Sequence, residues 1–459
     1  MYTPEVYQYS LLDFLYSPFL LFFILYFAKS IRDKRIEKEP EFKYFLPAVI
    51  IKIIGAITVV LVYTLYYKGG DTNYYFNDGR GLVRLMFKRP DYFSDILFNG
   101  MDFSKFYYFD SETGYPAYYR QSQTYFVVRI IWPLILLGLQ SFIATSILLA
   151  LISFGGIWRM YRVFIAEFPQ YKKQFAIAFF FVPSVFFWGS GLLKDTITFS
   201  AIGYFFYSFY MAFIRREKVF TNLIIVYLSM GVIINIKPYI FVGLLPGTLI
   251  WIIGHYTSKI QGNFIRGVTF PTAISIGIAC GYLLLIILGD ELGKYSLDKI
   301  LMEASISNYD LKQSYYKGNS FDIGKVDPTF SGMLEKFFPA VNAALFRPYL
   351  WESNNLLMAV SGVENFLILI FTLYTLYRIR VFGIFAFFAK NNLLTFSLIF
   401  SLFFAFSVGI STSNFGSLVR YRIPLLPFYI SSLYIINGMV TERKNQKRER
   451  EYMAYVPSS

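Results

Sequence analysis

Long apolar runs separated by short charged connectors dominate the chain. A run of about 20 apolar residues spans the ~30 Å hydrocarbon layer as a helix. Such runs predict spans at 9–28, 44–66, 141–158, 174–190, 196–214, 220–236, 238–254, 267–289, 355–377, 391–409 and 422–440. The expected fold class is therefore all-α, a polytopic transmembrane helical bundle of about 11 spans forming a single transmembrane domain. Lipid offers no partner to an unpaired backbone, which leaves helices as the spanning form for runs of this length. The segment 124–139, "TYFVVRIIWPLILLGL", is short and carries Arg129 and Pro133, so it is expected to be re-entrant or interfacial rather than a twelfth crossing.

The charge pattern assigns sides. The connectors at 29–43, 159–173, 215–218 and 378–390 are short and basic, as is the tail "ERKNQKRERE". With eleven spans all of them fall on one face, which the positive-inside rule makes cytoplasmic. The N-terminus is then expected outside and the tail, 441–459, inside. The opposite face receives two long connectors, 67–123 and 290–354, in which interfacial helices are expected. It also receives the turns "GSGLLKD", "NIKPY" and "STSNFGSLVRYR".

Composition narrows the chemistry. The formal net charge is +14, but the basic residues are spread over connectors instead of one soluble face, which argues against nucleic acid as a partner. The single cysteine, Cys280, rules out a disulfide framework and a thiolate metal site. The single histidine, His255, falls on the cytoplasmic side, away from the candidate residues. No cleavable secretory signal is recognisable at the start, so the first span is expected to remain.

In "YYKGGDTNYYFNDGRGLVRLMFKR", two glycines precede Asp71 at the end of the second span. Apolar residues then alternate with Arg80, Arg84 and Lys88 at helical spacing, predicting a basic amphipathic helix in the interface. Asp71 either caps that helix or acts on a substrate, as a general base or by holding a divalent metal such as Mg or Mn on a phosphate. Asp78 is the second acid of the same stretch. In "FWGSGLLKDT", Lys194 and Asp195 open the helix after an outer turn. The carboxylate complements the helix dipole, whereas a cation there is unfavourable unless it draws an anion, snorkels or pairs with Asp195. Lys237, Arg347, Arg420 and Arg422 are expected at the same outer level, where arginine forks match phosphate oxygens. Each is an anion-pocket candidate or an interfacial anchor. Glu352 lies in the same outer segment as Arg347. Glu364 sits two turns into a span, where an acid marks either a site or an inter-helix pair with a cation.

Four features resemble the GT-C class of membrane glycosyltransferases. They are an acid opening the first large outer loop ("GGDTNYYFNDGRGL"), the turn "PSVFFWGSGLLKDT", the segment "LFRPYLWE" before a late span, and the terminal "RYRIPLLPFYI". The "FWGSGLLKD", "KPY" and "FRPYLWE" pattern is also similar to a group of bacterial multi-pass membrane proteins. The resemblance implies a polyprenyl-phosphate-linked sugar donor, with Asp71 as catalytic base or metal-linked acid and Arg420 and Arg422 on the lipid phosphate. It further implies a glycan, lipid or protein acceptor at the bilayer and a place in the bacterial inner membrane, in cell-envelope polysaccharide synthesis. Asp71 follows the second span, whereas the class places its first acid after the first. The acid is a single Asp-Thr, not a paired carboxylate.

The leading expectation is thus an inverting sugar transferase, with Lys194, Lys237, Arg347, Arg420 and Arg422 stabilising the leaving phosphate. The alternatives are a polymerase or ligase of lipid-linked glycans, a flippase or exporter of an anionic lipid-linked substrate, and a non-catalytic scaffold.

Overall fold

The computed structural model describes residues 7, 9–257, 300–313, 319–379 and 391–455, with five isolated positions between 272 and 283. The expected span 267–289, Cys280 and most of the connector 378–390 lie outside the described residues. Among the described residues the protein is mostly helical and has no strand. Eight helices are long and apolar enough to cross a bilayer: Leu11–Arg35, Pro40–Tyr66, Phe142–Glu167, Lys194–Arg215, Val219–Ile236, Pro238–Tyr256, Leu356–Ile379 and Asn392–Ser411. Each coincides with an expected span. The segment expected at 422–440 falls in the second arm of a helix pair, Phe415–Tyr421 and Leu426–Tyr452, bent by 65°.

The segment expected to cross at 174–190 is broken instead. It consists of α7 (Lys172–Ala176), a wider turn over Ile177–Phe181 and α8 (Pro183–Trp188). Pro183 supplies no N–H to the ladder and holds Val182 extended, at φ −73° and ψ 124°. A helix interrupted this way satisfies its backbone at membrane depth only where protein surrounds it, and most of α8 and its following turn is buried.

The chain forms two compact units, Met1–Arg162 with Phe179–Pro238, and Val163–Ala178 with Tyr239–Ser459. In the first, α1 (Leu11–Arg35), α2 (Phe45–Leu61, continued to Tyr66), α9 (Lys194–Phe209) and α10 (Val219–Ile236) are the long apolar elements. α6 (Phe142–Glu167) begins in this unit. The first long connector contributes α3 (Asp71–Lys88), α4 (Pro90–Asn99) and, after an irregular stretch, α5 (Ser122–Leu137). α3 carries three basic residues, as its spacing predicts, yet it is no surface helix. Tyr75, Phe76, Leu82, Val83 and Leu85 share one buried cluster with Val127, Val128, Ile131 and Ile135 of α5 and with Val60, Leu192, Ile197 and Ile236. The connector thus packs down onto the span ends, removing apolar area from water at roughly 25 cal/mol per Å².

The second unit holds α11 (Pro238–Thr257), α12 (Ile300–Asp310), α13 (Phe330–Glu335), α14 (Phe337–Phe346) and α15 (Leu356–Ile379). It continues through α16 (Asn392–Ser411) and α17 (Phe415–Tyr421) to α18 (Leu426–Tyr455). Residues 319–321 run antiparallel beside 413–415, with Phe321 N–H on the Ser413 carbonyl (2.8 Å) and Phe415 N–H on that of Asn319 (2.9 Å). This short contact fixes the second long connector against the turn that precedes Arg420 and Arg422.

Candidate functional site

Asp71 is the first residue of α3, and the backbone before it explains its place. Gly70, at φ +107°, reverses the chain after α2 in a conformation that side-chain-bearing residues avoid. A Cβ on Gly70 would also meet the Tyr63 ring at 2.9 Å. The half-buried Asp71 carboxylate accepts a hydrogen bond from the Tyr118 hydroxyl at 3.2 Å. Tyr118 stacks on Tyr75 (5.1 Å between centroids) and meets Tyr74 edge-on (5.9 Å). Burial, then the charge of Asp71, pushes its phenol well above the ordinary tyrosine range, so it stays protonated and donating.

Asp78 lies seven residues on and therefore on the same face of α3. It is 3% exposed, and its two oxygens accept the backbone N–H groups of Ala117 (2.8 Å) and Tyr118 (3.0 Å). Asp78 thus pins the strip that presents Tyr118, and Tyr118 orients Asp71. Burial raises the Asp78 carboxyl to about 7 against the opposing effect of those two amide donors. Its proton is therefore held more tightly in the folded protein than in the unfolded chain, whose value is 3.8. The stabilisation is complete below about pH 4 and is lost as pH rises through 7, by on the order of 4 kcal/mol. The melting temperature of the wild type in detergent is expected to fall between pH 5 and pH 8 relative to Asp78→Asn. Parallel curves for the two proteins would contradict this.

"FWGSGLLKDT" is not the water-facing turn that the hydropathy pattern predicts. The Lys52 ammonium, mid-way along α2, donates to the Gly189 carbonyl. A Cβ on Gly55 would strike the Phe186 carbonyl, and one on Gly191 would strike Val59. The turn therefore lies alongside the middle of α2, short of its end at Tyr66, and Trp188 to Leu193 are buried. Lys194 opens α9 half-buried, with its ammonium on the Thr124 hydroxyl of α5 at 2.8 Å. Asp195 forms a buried ion pair with Lys237. That pair joins the start of α9 to the end of α10, so the Lys237 ammonium is committed to a carboxylate.

In the second unit, Arg347 and Glu352 form a forked pair, with Nε 3.1 Å from both carboxylate oxygens. The guanidinium also lies over the rings of Phe321 (4.8 Å) and Phe415 (5.5 Å). Arg422 is 0% exposed. One of its nitrogens donates to the carbonyls of Ala344 (3.2 Å) and Arg347 (3.2 Å), closing the C-terminal end of α14. The other donates to Asn365 and lies 3.5 Å from Glu364. Glu364 is thus the buried partner of a cation, one of the two roles its depth allows. Arg420 is half-buried at the end of α17.

Among the described residues no three carboxylate, histidine or cysteine side chains gather as metal ligands. Both oxygens of Asp78 face amide N–H groups, which present hydrogens where a cation needs lone pairs. Tyr118, Thr124 and Lys52 escaped the sequence reading. Tyr118 is one of 39 tyrosines, and Lys52 is a lone charge inside an apolar run. The second of these was a usable signal, since an intramembrane lysine demands a partner. Comparison of the chain with family models, with curated proteins and with solved structures finds no match.

Proposed function

We propose that the protein is a membrane glycosyltransferase that moves a sugar from a polyprenyl-phosphate-linked donor to an acceptor hydroxyl on the outer face of a bacterial inner membrane. The observation that carries this reading is the Asp71–Tyr118–Asp78 arrangement. It is a half-exposed carboxylate at the end of a membrane helix, oriented by a tyrosine whose backbone is itself held by a buried acid. Asp71 accepts the proton of the acceptor hydroxyl as that oxygen bonds to the anomeric carbon. The bond from that carbon to the phosphate oxygen breaks with inversion, and the lipid phosphate leaves with the electron pair. Of the two acids, Asp71 is the base, because both oxygens of Asp78 are occupied by amide donors. Lys194, half-buried at the N-terminus of a 16-residue helix with its ammonium on the Thr124 hydroxyl, is a candidate cation for the leaving phosphate. Lys237, Arg347 and Arg422 hold the framework through Asp195, Glu352 and Glu364.

Lipid-linked intermediates in a strain lacking the protein test the reading. The expected result is an accumulated acceptor that lacks one sugar yet is exposed on the outer face. A complete lipid-linked glycan stranded on the inner face would mean an exporter and would overturn the assignment. Unpolymerised but otherwise complete repeat units would point to a polymerase.

A further inference from the structure

The basic stripe of α3 is satisfied at one end only. Lys88 pairs with Asp110 at 2.8 Å and with Glu112. One turn earlier, the half-buried Arg84 makes a single long contact, 3.5 Å to the Glu112 carbonyl. One turn earlier again, the half-buried Arg80 lies over the rings of Tyr7 and Phe76, each at 5.8 Å. Its Nε is buried and has no hydrogen-bond partner. Among the described residues no carboxylate lies within ion-pair distance of Arg80 or Arg84. The acid that acts on Arg80 from further off is Asp13, and its oxygens are already taken. One accepts the Tyr7 hydroxyl and the Ser10 N–H, the other the Ser141 hydroxyl. Burial, and then the like charge of Arg84, hold the Arg80 guanidinium below the ordinary arginine range, with Tyr7 and Asp13 opposing.

Like charges at i and i+4 repel on a bare helix, and N–H groups withdrawn from water need an acceptor. One anion held by both guanidiniums answers both demands. Position says which anion. Tyr7 lies four residues before the apolar helix that opens at Leu11. Tyr9, in the same lead-in, bonds Thr64, two residues before the second span ends at Tyr66. The guanidinium over Tyr7 is therefore at the ends of both spans, where the hydrocarbon layer gives way to headgroups. The anion abundant at that level is the lipid phosphate, whose oxygens match arginine forks.

We infer that Arg80 and Arg84 form a binding site for the phosphate of an anionic phospholipid, seated beside the first turn of α1. The site is separate from the one around Asp71, since Arg80 lies nine residues, ~14 Å, further along α3. A lipid held there ties the buried connector helix to the bilayer through its headgroup. The inference goes beyond the transferase reading and does not depend on it.

The test titrates full-length protein in a neutral detergent with phosphatidylglycerol and with phosphatidylcholine, following retained lipid by native mass spectrometry. The wild type is expected to hold phosphatidylglycerol in preference. The double variant Arg80→Gln, Arg84→Gln should lose affinity for that lipid on the order of tenfold. Arg84→Gln alone, which gives up one long contact, keeps the test open should the double variant fail to fold, and should lose roughly threefold. Lys88→Gln removes an equal charge from the same stripe, but one already paired, and should change the affinity by less than about twofold. Equal binding by the wild type and the arginine variants would overturn the site. So would an equal loss in Lys88→Gln, which would mean attraction to basic surface in general. Displacement of the lipid by an equal concentration of inorganic phosphate would mean a site for the free anion and would overturn the lipid assignment. Lipid retention is read without sugar transfer, so failure of the site and failure of the transferase reading remain distinguishable.

Discussion

Asp71→Asn is expected to lower sugar transfer by roughly 10²–10⁴-fold, the usual contribution of a positioned general base. The substitution is close to isosteric. The amide oxygen still accepts from the Tyr118 hydroxyl, so the contact that orients the side chain survives, but an amide takes no proton at neutral pH. Asp71 is half-buried at a helix start, so protein level shows whether folding survives the change. The measurement is surface glycan or glycolipid in cells carrying the variant as their sole copy, with membrane levels of the protein checked in parallel. Normal glycan at normal protein level would remove Asp71 from the mechanism. It would favour a polymerase or ligase, which needs the anion-binding cations but not this base. A variant absent from the membrane would shift the role of Asp71 to the packing of α3.

What was legible in the sequence follows from what hydropathy measures. A run such as 44–66 reports that its residues prefer lipid or protein to water, and that preference suffices to place a helix. It does not report depth. The turn Gly189 to Leu193 looks like a surface loop because glycine and serine interrupt the apolar pattern there. Those same small residues are what let it lie against Lys52, Gly55 and Val59 in the middle of α2. Pro183 was the available warning, since a proline in the centre of an apolar run breaks the backbone ladder. The amphipathic spacing of α3 was equally clear, but spacing cannot say whether an apolar face meets lipid or the rings of α5. Pairing was out of reach for a different reason. Asp195 and Lys237 are 42 residues apart, and Arg422 and Asn365 are 57 apart. No local pattern encodes such partners, so the five candidate cations read alike, and the acids that hold Lys237, Arg347 and Arg422 stay hidden.

Arg420 and Arg422, two residues apart in "RYR", therefore have different expected phenotypes. Arg422 is fully buried, and its guanidinium serves Glu364, Asn365 and the carbonyls at the end of α14. Arg422→Met fills a similar volume but strands all of these groups, and breaking a buried pair from one side costs about 3–5 kcal/mol. Thermal melting in detergent and protein yield should both fall steeply. Adding Glu364→Gln removes the stranded charge and should recover a measurable part of the loss, a non-additivity that identifies direct coupling. Arg420→Met, at a half-buried position in a short helix, is expected to lower the melting temperature less than Arg422→Met does. A folded, stable Arg422→Met protein with reduced transfer would overturn the framework role of Arg422. The two arginines are separated by burial, a division that their shared motif conceals.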